Sequence, residues 1–340
     1  MRLALLPLLL TALPALAEPP ALHSLPMTMQ ASHPTVLGTL DGRDERLHLV
    51  VDSAASATLL DTAVVQRFGL QDANAREHDA QGASAGGLAL RSTRRVAMAL
   101  GSLQLQVTAL QADLASLSPA GGAPLHGIIG QDITAAFDTR WDFDQSRLLL
   151  WPARSLPTPD AFCQDNALPD RSGVLKGFGF VTLRLGDDGV EAIGVVDTGA
   201  AQTILNNAAA GALGLRTDGR DARVRARSKG SEGLGGKPTP TWLYTLPALA
   251  SAGWQHPAVE VRISELPVFR AIGLDQRPAV ILGADVMQGG QVDISAGAER
   301  ICLRRPTQGR RWAMTAPPGG GRIARSHQEF RACAVFSCCC

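Results

Sequence analysis

The chain has 340 residues, 45% of them apolar and 19% charged, with a formal net charge of +1. That length and apolar content predict soluble globular domains of ordinary size, about two of them. The near-zero net charge gives no electrostatic reason to expect nucleic acid or acidic lipid as a partner.

In chain order, Met1-Arg2, an apolar run from Leu3 to Leu13, and Ala15-Leu16-Ala17 before Glu18-Pro19 read as a secretory signal with an A-x-A cleavage site. Residues 1–17 are therefore expected to be a signal peptide, and the mature protein to be periplasmic or secreted. The run is too short for an ordinary anchor, no other stretch reaches about 18 uninterrupted apolar residues, and no Cys directly follows Ala17 to carry a lipid, so no stable membrane insertion is expected. Only Glu18 to about Gln30 is available for a propeptide.

Short runs dense in Val, Leu, Ile and Thr follow, at Arg46 to Val51, Leu88 to Leu100, Leu103 to Leu110, Arg147 to Trp151, Val181 to Leu185, Ala192 to Val196, Val259 to Ile263 and Arg300 to Leu303. This is the pattern of a mostly β chain. Gly101-Ser102 and Gly186-Asp187-Asp188-Gly189 mark hairpin turns. Two short helices are expected, one over Asp61 to Phe68, capped by Asp61 and stopped by Gly69, the other over Asn206 to Leu213, stopped by Gly214. Residues 152–170, rich in Pro and Asp, form the expected linker between an N-terminal lobe at 18–151 and a C-terminal lobe at 171–305. Residues 306–340, rich in Arg, Gly and Pro, are expected to be a disordered tail. Its Cys333, Cys338, Cys339 and Cys340 have no partner at metal-finger spacing. In the body, Cys163 and Cys302 leave two readings open, a bridge or two thiols.

The duplication carries the chemistry. From Val50 to Asp61 and from Val195 to Asn206 the chain repeats itself: Val50/Val195, Val51/Val196, Asp52/Asp197, Ala55/Ala200, Thr58/Thr203 and Leu60/Leu205 are identical. The pairs Ser53/Thr198, Leu59/Ile204 and Asp61/Asn206 are conservative. A second pair of segments follows, Gly127-Ile128-Ile129-Gly130-Gln131-Asp132-Ile133 and Val280-Ile281-Leu282-Gly283-Ala284-Asp285-Val286, at 78 residues from Asp52 to Gly130 and 86 from Asp197 to Gly283. A period this long means two lobes, not a solenoid of short units. Small residues after each acid let two turns approach, the hydroxyls of Ser53 and Thr198 can lock the opposing backbones, and the two carboxyl groups can meet across a pseudo-twofold axis. Two carboxylates in contact share one proton, which makes one member a general base for water and the other a general acid toward a carbonyl oxygen.

These motifs resemble the pepsin and retropepsin superfamily of aspartic proteases, most closely bacterial retropepsin-like proteins with two copies fused in one chain. Asp197-Thr198-Gly199-Ala200 and Ile281-Leu282-Gly283 match the family pattern without change, as do Asp52, Ser53, Ala55 and Ile128-Ile129-Gly130 in the first copy. The departure is Ala54, where the family has Gly. If its backbone had positive φ, the methyl would cost about 1 to 2 kcal/mol. The resemblance implies a mostly β, bilobal acid-protease fold of two pseudo-twofold-related, barrel-like lobes with short helices. It implies catalytic Asp52 and Asp197, no cofactor or metal, and a polypeptide substrate. It also implies a monomer, since one chain holds both halves of the pair. A flap over each half of the cleft is expected at residues 81–87, with Gly82 and Gly86, and at residues 230–236, with Gly233 and Gly235. Two functional readings follow: an active endopeptidase, or a catalytically silent peptide-binding or inhibitory relative marked by Ala54.

Other features point elsewhere than to catalysis. Asp132 and Asp285 are expected to cap or pair within the structure, Tyr244 to be a core or interlobe aromatic, and the run Arg220, Arg223, Arg225, Arg227 and Lys229 to be a solvated strand edge. The seven histidines show no metalloprotease spacing, and no G-x-S-x-G elbow surrounds Ser53.

Overall fold

Each acid-bearing strand ends at a turn, and the later hydrophobic element of the same half is the strand beside it. The structure is a computed structural model describing residues 19–75, 77–82, 87–118, 123–156, 160–231, 233–234, 237–305 and 335–336. In the first half, strand Leu47–Val51 runs parallel to Gly127–Ile129, which is antiparallel to Leu59–Asp61, itself parallel to Leu110–Ala112. In the second, Val190–Val196 runs parallel to Ala279–Leu282, which is antiparallel to Ile204–Leu205, itself parallel to Val259–Ile263. Gly127–Ile129 and Ala279–Leu282 are buried throughout, which is why they read as unbroken apolar runs instead of alternating ones. The fold is mostly β and bilobal, with the same strand order built twice.

The helices start and stop where their side chains dictate. Helix Thr62–Phe68 is capped by the Asp61 carboxylate, which accepts from the Ala63 N–H, and ends at Gly69 with φ 64°. Its counterpart Asn207–Ala212 is capped by Asn206, which accepts from the Ala209 N–H. Gly214, also at φ 64°, follows its end. The run expected from Leu88 to Leu100 is instead two strands, Gly87–Ser92 and Val96–Leu100, because Thr93 to Arg95 cross to the loop after the first helix, where the Arg94 N–H donates to the Leu70 carbonyl. Leu103 to Leu110 likewise divides into Leu103–Val107 and Leu110–Ala112.

A sheet shared by both halves joins them. The first half contributes His23–Gln30, Phe137–Asp142 and Arg147–Pro152, and the second Cys163–Asp165, Gln291–Ile294 and Arg300–Arg304. The junction is the antiparallel pair Phe137–Asp142 and Gln291–Ile294, with Arg140 opposite Asp293. There Arg140 Nε and Nη2 donate to the two carboxylate oxygens at 2.6 and 2.9 Å, and Arg304 also donates to Asp293. His23–Gln30, the segment left available for a propeptide, is thus a structural strand. Cys163–Asp165 lies within the expected linker, and Cys163 is bonded to Cys302 on the neighbouring strand, closing a 139-residue separation. Of the tail, Val335–Phe336 pairs with Gly82 and Gln81; the rest of 306–340, like the expected signal peptide, lies outside the described residues. Among the described residues no helix is long and apolar enough to cross a membrane.

Removing Asp293 strands a buried guanidinium, so Asp293→Ala is expected to cost about 3 to 5 kcal/mol. Urea unfolding followed by tryptophan fluorescence measures it. A loss no larger than that of an exposed pair such as Arg225 with Glu260 would show that Arg140 finds other partners.

Candidate active site

Asp52 and Asp197 each begin a turn that is held from below by its own half. The Asp52 N–H donates to the Ile129 carbonyl and the Asp197 N–H to the Leu282 carbonyl, both at 3.0 Å. The Gln131 N–H then donates to Ala55 and the Ala284 N–H to Ala200, both at 2.8 Å, so each turn is stitched to its partner strand at both ends. The close fit explains the glycine of the later element. A Cβ on Gly130 would lie 2.6 Å from the Ala57 carbonyl, and one on Gly283 2.5 Å from the Gln202 backbone. Asp132 and Asp285, expected to be structural, accept from the hydroxyls of Thr58 and Thr203 at 2.8 Å. Those hydroxyls in turn accept from the N–H groups of Gly130 and Gly283.

Across the pseudo-twofold axis the two turns grip each other through Ser53 and Thr198. The Ser53 N–H donates to Thr198 Oγ1 and the Thr198 N–H to Ser53 Oγ, each at 3.0 Å. Ser53 Oγ donates to the Val196 carbonyl and Thr198 Oγ1 to the Val51 carbonyl, each at 2.8 Å. All four bonds are buried, where a hydrogen bond is stronger than in water and an unmade one is costly. Gln131, to which the sequence reading assigned no role, adds a further tie by donating its side-chain amide to the Ser53 carbonyl.

This grip brings the carboxyl groups of Asp52 and Asp197 into hydrogen-bond contact. Asp52 Oδ1 accepts from the Ala54 N–H at 2.7 Å and Asp197 Oδ1 from the Ala200 N–H at 2.8 Å. The two Oδ2 atoms are buried with no donor from the rest of the protein, so a proton held between the carboxyl groups is what satisfies them. The residues are 1% and 0% exposed, and burial is the main influence on both. It pushes Asp52 up to about 7, opposed by the N–H groups of Ala54, Ala55 and Gly199 and by the bond to Asp197. Asp197 is held well above the usual carboxylate range, first by burial and then by the charge of Asp52.

Gly199 and Ala54 occupy equivalent places with different consequences. A Cβ on Gly199 would fall 2.2 Å from Asp52 Oδ2, so only glycine fits there. Ala54 is fully buried and its methyl joins the cluster of Phe178, Phe180, Val195 and Ala200 in the second half. It is not among the residues with positive φ, so the backbone strain considered for it does not arise.

The expected flaps fall on hairpins. Gly82 ends strand Glu77–Gly82, which pairs with Gly87–Ser92, and Gly233 lies between the paired strands Val224–Ser231 and Thr239–Leu246. Gly86 and Gly235 lie outside the described residues. Both hairpins reach the opposite half: Glu77–Gly82 touches helix Pro267–Ala271, and Leu234 is buried in a cluster with Val50, Ala55, Leu59 and Ile128. A cavity of about 1150 Å³ opens beside the first turn, lined by Ser56, Ala57, His78, Leu110, Lys176 and Ala271 among others. Tyr244 is half-buried against the core of its own half, and Arg225 pairs with Glu260 on an exposed edge strand. Among the described residues no cluster of His, Cys, Asp or Glu is placed to hold a metal.

Burial of the pair has a consequence for stability. Asp52 holds its proton up to about pH 7 in the fold but only to about 3.8 when unfolded, so stability is fully present below the lower value and lost as pH rises through the upper one. His33 has the opposite sign: burial lowers it from 6.5 to about 4, so its contribution is present above the former and lost as pH falls through the latter. Asp52→Asn keeps His33 and removes the first effect. It is expected to melt above the wild type at pH 7, with the difference closing toward pH 4, as calorimetry across that range will read.

Comparison with family models matches the aspartyl protease model (Asp_protease_2) over residues 36–133 and again over 181–286. Comparison with curated proteins finds no match. Among solved structures, an aspartic proteinase from Irpex lacteus is similar with a TM-score of 0.49 and 14% identity, over 84% of this chain and 97% of that one. The two matched segments cover more than half of the sequence, and each contains one Asp turn with its later glycine element, so the chain belongs to the aspartyl protease family.

Proposed function

We propose that the protein is an aspartic endopeptidase that hydrolyses peptide bonds with a water molecule activated between Asp52 and Asp197, and that it works as a monomer in the periplasm or outside the cell. The observation that supports this most is the carboxyl pair itself: two buried acids in hydrogen-bond contact, with protein donors to Oδ1 of each and none to either Oδ2. Asp52, whose ionised form is favoured by the N–H groups of Ala54, Ala55 and Gly199, is the member that loses its proton first, as pH rises through about 7, and Asp197 then holds the proton that remains. In the reaction Asp52 takes a proton from water as the water oxygen bonds to the scissile carbon, and Asp197 gives its proton to the carbonyl oxygen. The tetrahedral diol then collapses: one hydroxyl returns its proton to Asp197 as the carbonyl re-forms, the carbon–nitrogen bond breaks, and the nitrogen leaves as an amine with the proton held by Asp52. No covalent enzyme intermediate, cofactor or metal enters this scheme. Because the pair is closed off in this structure, substrate entry requires the two hairpins and the opposite lobes they touch to separate.

The second reading, a silent peptide-binding module, draws on that same closure and on the buried Ala54 methyl beside the pair. The two readings separate in a cleavage assay on an unfolded protein or a peptide library from acid to neutral pH. The wild type is expected to cleave, to be blocked by a statine-type transition-state mimic, and to lose about 10³-fold or more in both Asp52→Asn and Asp197→Asn. Full activity in either variant eliminates the shared-proton scheme. A wild type that is silent until Ala54→Gly is introduced identifies the methyl as the block. Gly199→Ala, which forces a methyl into Asp52, is expected to abolish cleavage while Ser53 and Thr198 still lock the turns.

A further inference from the structure

His33 is a buried, titratable side chain next to the carboxyl pair for which the scheme above has no use. Its ring is 2% exposed, and its Nδ1 lies 2.7 Å from the carbonyl oxygen of Gly199, across the lobe boundary. A carbonyl only accepts, so Nδ1 carries the hydrogen and donates it. The Gly199 carbonyl belongs to the same peptide group as the Ala200 N–H, which donates to Asp197 Oδ1 at 2.8 Å. A continuous chain therefore runs from imidazole through one peptide group to a carboxyl oxygen of the pair. We propose that His33 is a positioning residue for this pair: by bonding the Gly199–Ala200 peptide it fixes and polarises the N–H that Ala200 presents to Asp197.

Three observations support the assignment. First, His33 is placed by a rigid element. It begins strand His33–Leu40 directly after a two-residue hairpin turn, Ala31-Ser32, in which both residues have positive φ, 48° and 68°. Non-glycine residues adopt that backbone at a cost of about 1 to 2 kcal/mol each, and such strain persists only where surrounding structure demands it. The Thr35 hydroxyl also donates to the His33 carbonyl. Second, the duplication supplies an internal control. Thr35 stands opposite Val50, and Phe180 opposite the equivalent Val195, so the counterpart of His33 is Phe178. Phe178 is fully buried beside Ala54, and its phenyl ring cannot donate a hydrogen bond as the His33 imidazole does, so this side-chain relay is built on the Asp197 side and is not repeated by its counterpart. Third, burial lowers the imidazole to about 4, opposed only by the Gly199 bond, so it remains a neutral donor at neutral pH. The titratable groups on the turns it joins are Asp52 and Asp197.

Hydrogen bonds in a chain polarise one another, so a stronger Ala200 donor favours the charged form of Asp197 and offsets part of the burial that keeps it protonated. The inference rests on the endopeptidase reading for its effect on rate, but its effect on titration does not. The test follows the carboxyl carbon resonances of Asp52 and Asp197 against pH in the mature protein and in His33→Leu, His33→Asn and His33→Gln. The amide nitrogen of Asn falls where Nδ1 lies; that of Gln falls where Nε2 lies. In His33→Leu and His33→Gln the upper step of the pair is expected to move up by about 0.5, and His33→Asn to restore it. In parallel, kcat is expected to fall about tenfold with KM little changed, again with rescue by Asn alone. An unchanged titration in folded His33→Leu, or equal behaviour of the Asn and Gln variants, overturns the proposal. If His33→Leu fails to fold, the contrast between the two amides decides it. A wild type that cleaves nothing tells against the endopeptidase reading only, because the resonances still report on His33.

Discussion

Two carboxyl groups buried against each other cannot both be charged, and the structure is organised around that constraint. Left alone, such a pair would take up two protons or push its turns apart. The reciprocal bonds of Ser53 and Thr198 keep the turns together, while the N–H groups of Ala54, Ala55, Gly199 and Ala200 favour ionisation of the pair. One proton and one charge can then coexist at the centre of the molecule. Asp132 and Asp285, equally acidic in the sequence, do not meet this condition. Each is bonded to a threonine of its own half, and they are linked to the pair only through the turns they brace.

Holding two turns in register to a fraction of an ångström requires a rigid frame between the halves, and the shared sheet provides it. Three neighbouring strands from each half meet at the junction of Phe137–Asp142 with Gln291–Ile294, and the Arg140–Asp293 pair fixes the register there. The Cys163–Cys302 bond ties the linker to the last strand of the same sheet.

The duplication made much of this legible in the amino acids. A strand ending in Asp, a hydroxyl one residue later and a buried triplet ending in glycine are local features, and each half repeats them, so chance and structure were easy to tell apart. The two helix boundaries were legible for the same reason: Asp61 and Asn206 are caps by their own chemistry. What escaped was non-local. Gln30 to His33 carries no glycine or asparagine, so its turn left no signal, and strand His23–Gln30 went unrecognised. His33 stood among scattered histidines with nothing nearby in sequence to mark it. The one available clue was to extend the repeat upstream of the acids, where histidine stands opposite phenylalanine.

That last mismatch matters for how such a molecule differs from one assembled out of two identical subunits. In a homodimer any residue brought to the axis arrives twice, so whatever tunes one acid tunes its mate equally, and the choice of which acid keeps the proton is left to fluctuation. Covalent fusion removes the obligation. With histidine bound to one turn and phenylalanine behind the other, and glycine facing alanine across the centre, each half is free to specialise, and the difference between the two acids is written into the gene instead of being left to symmetry.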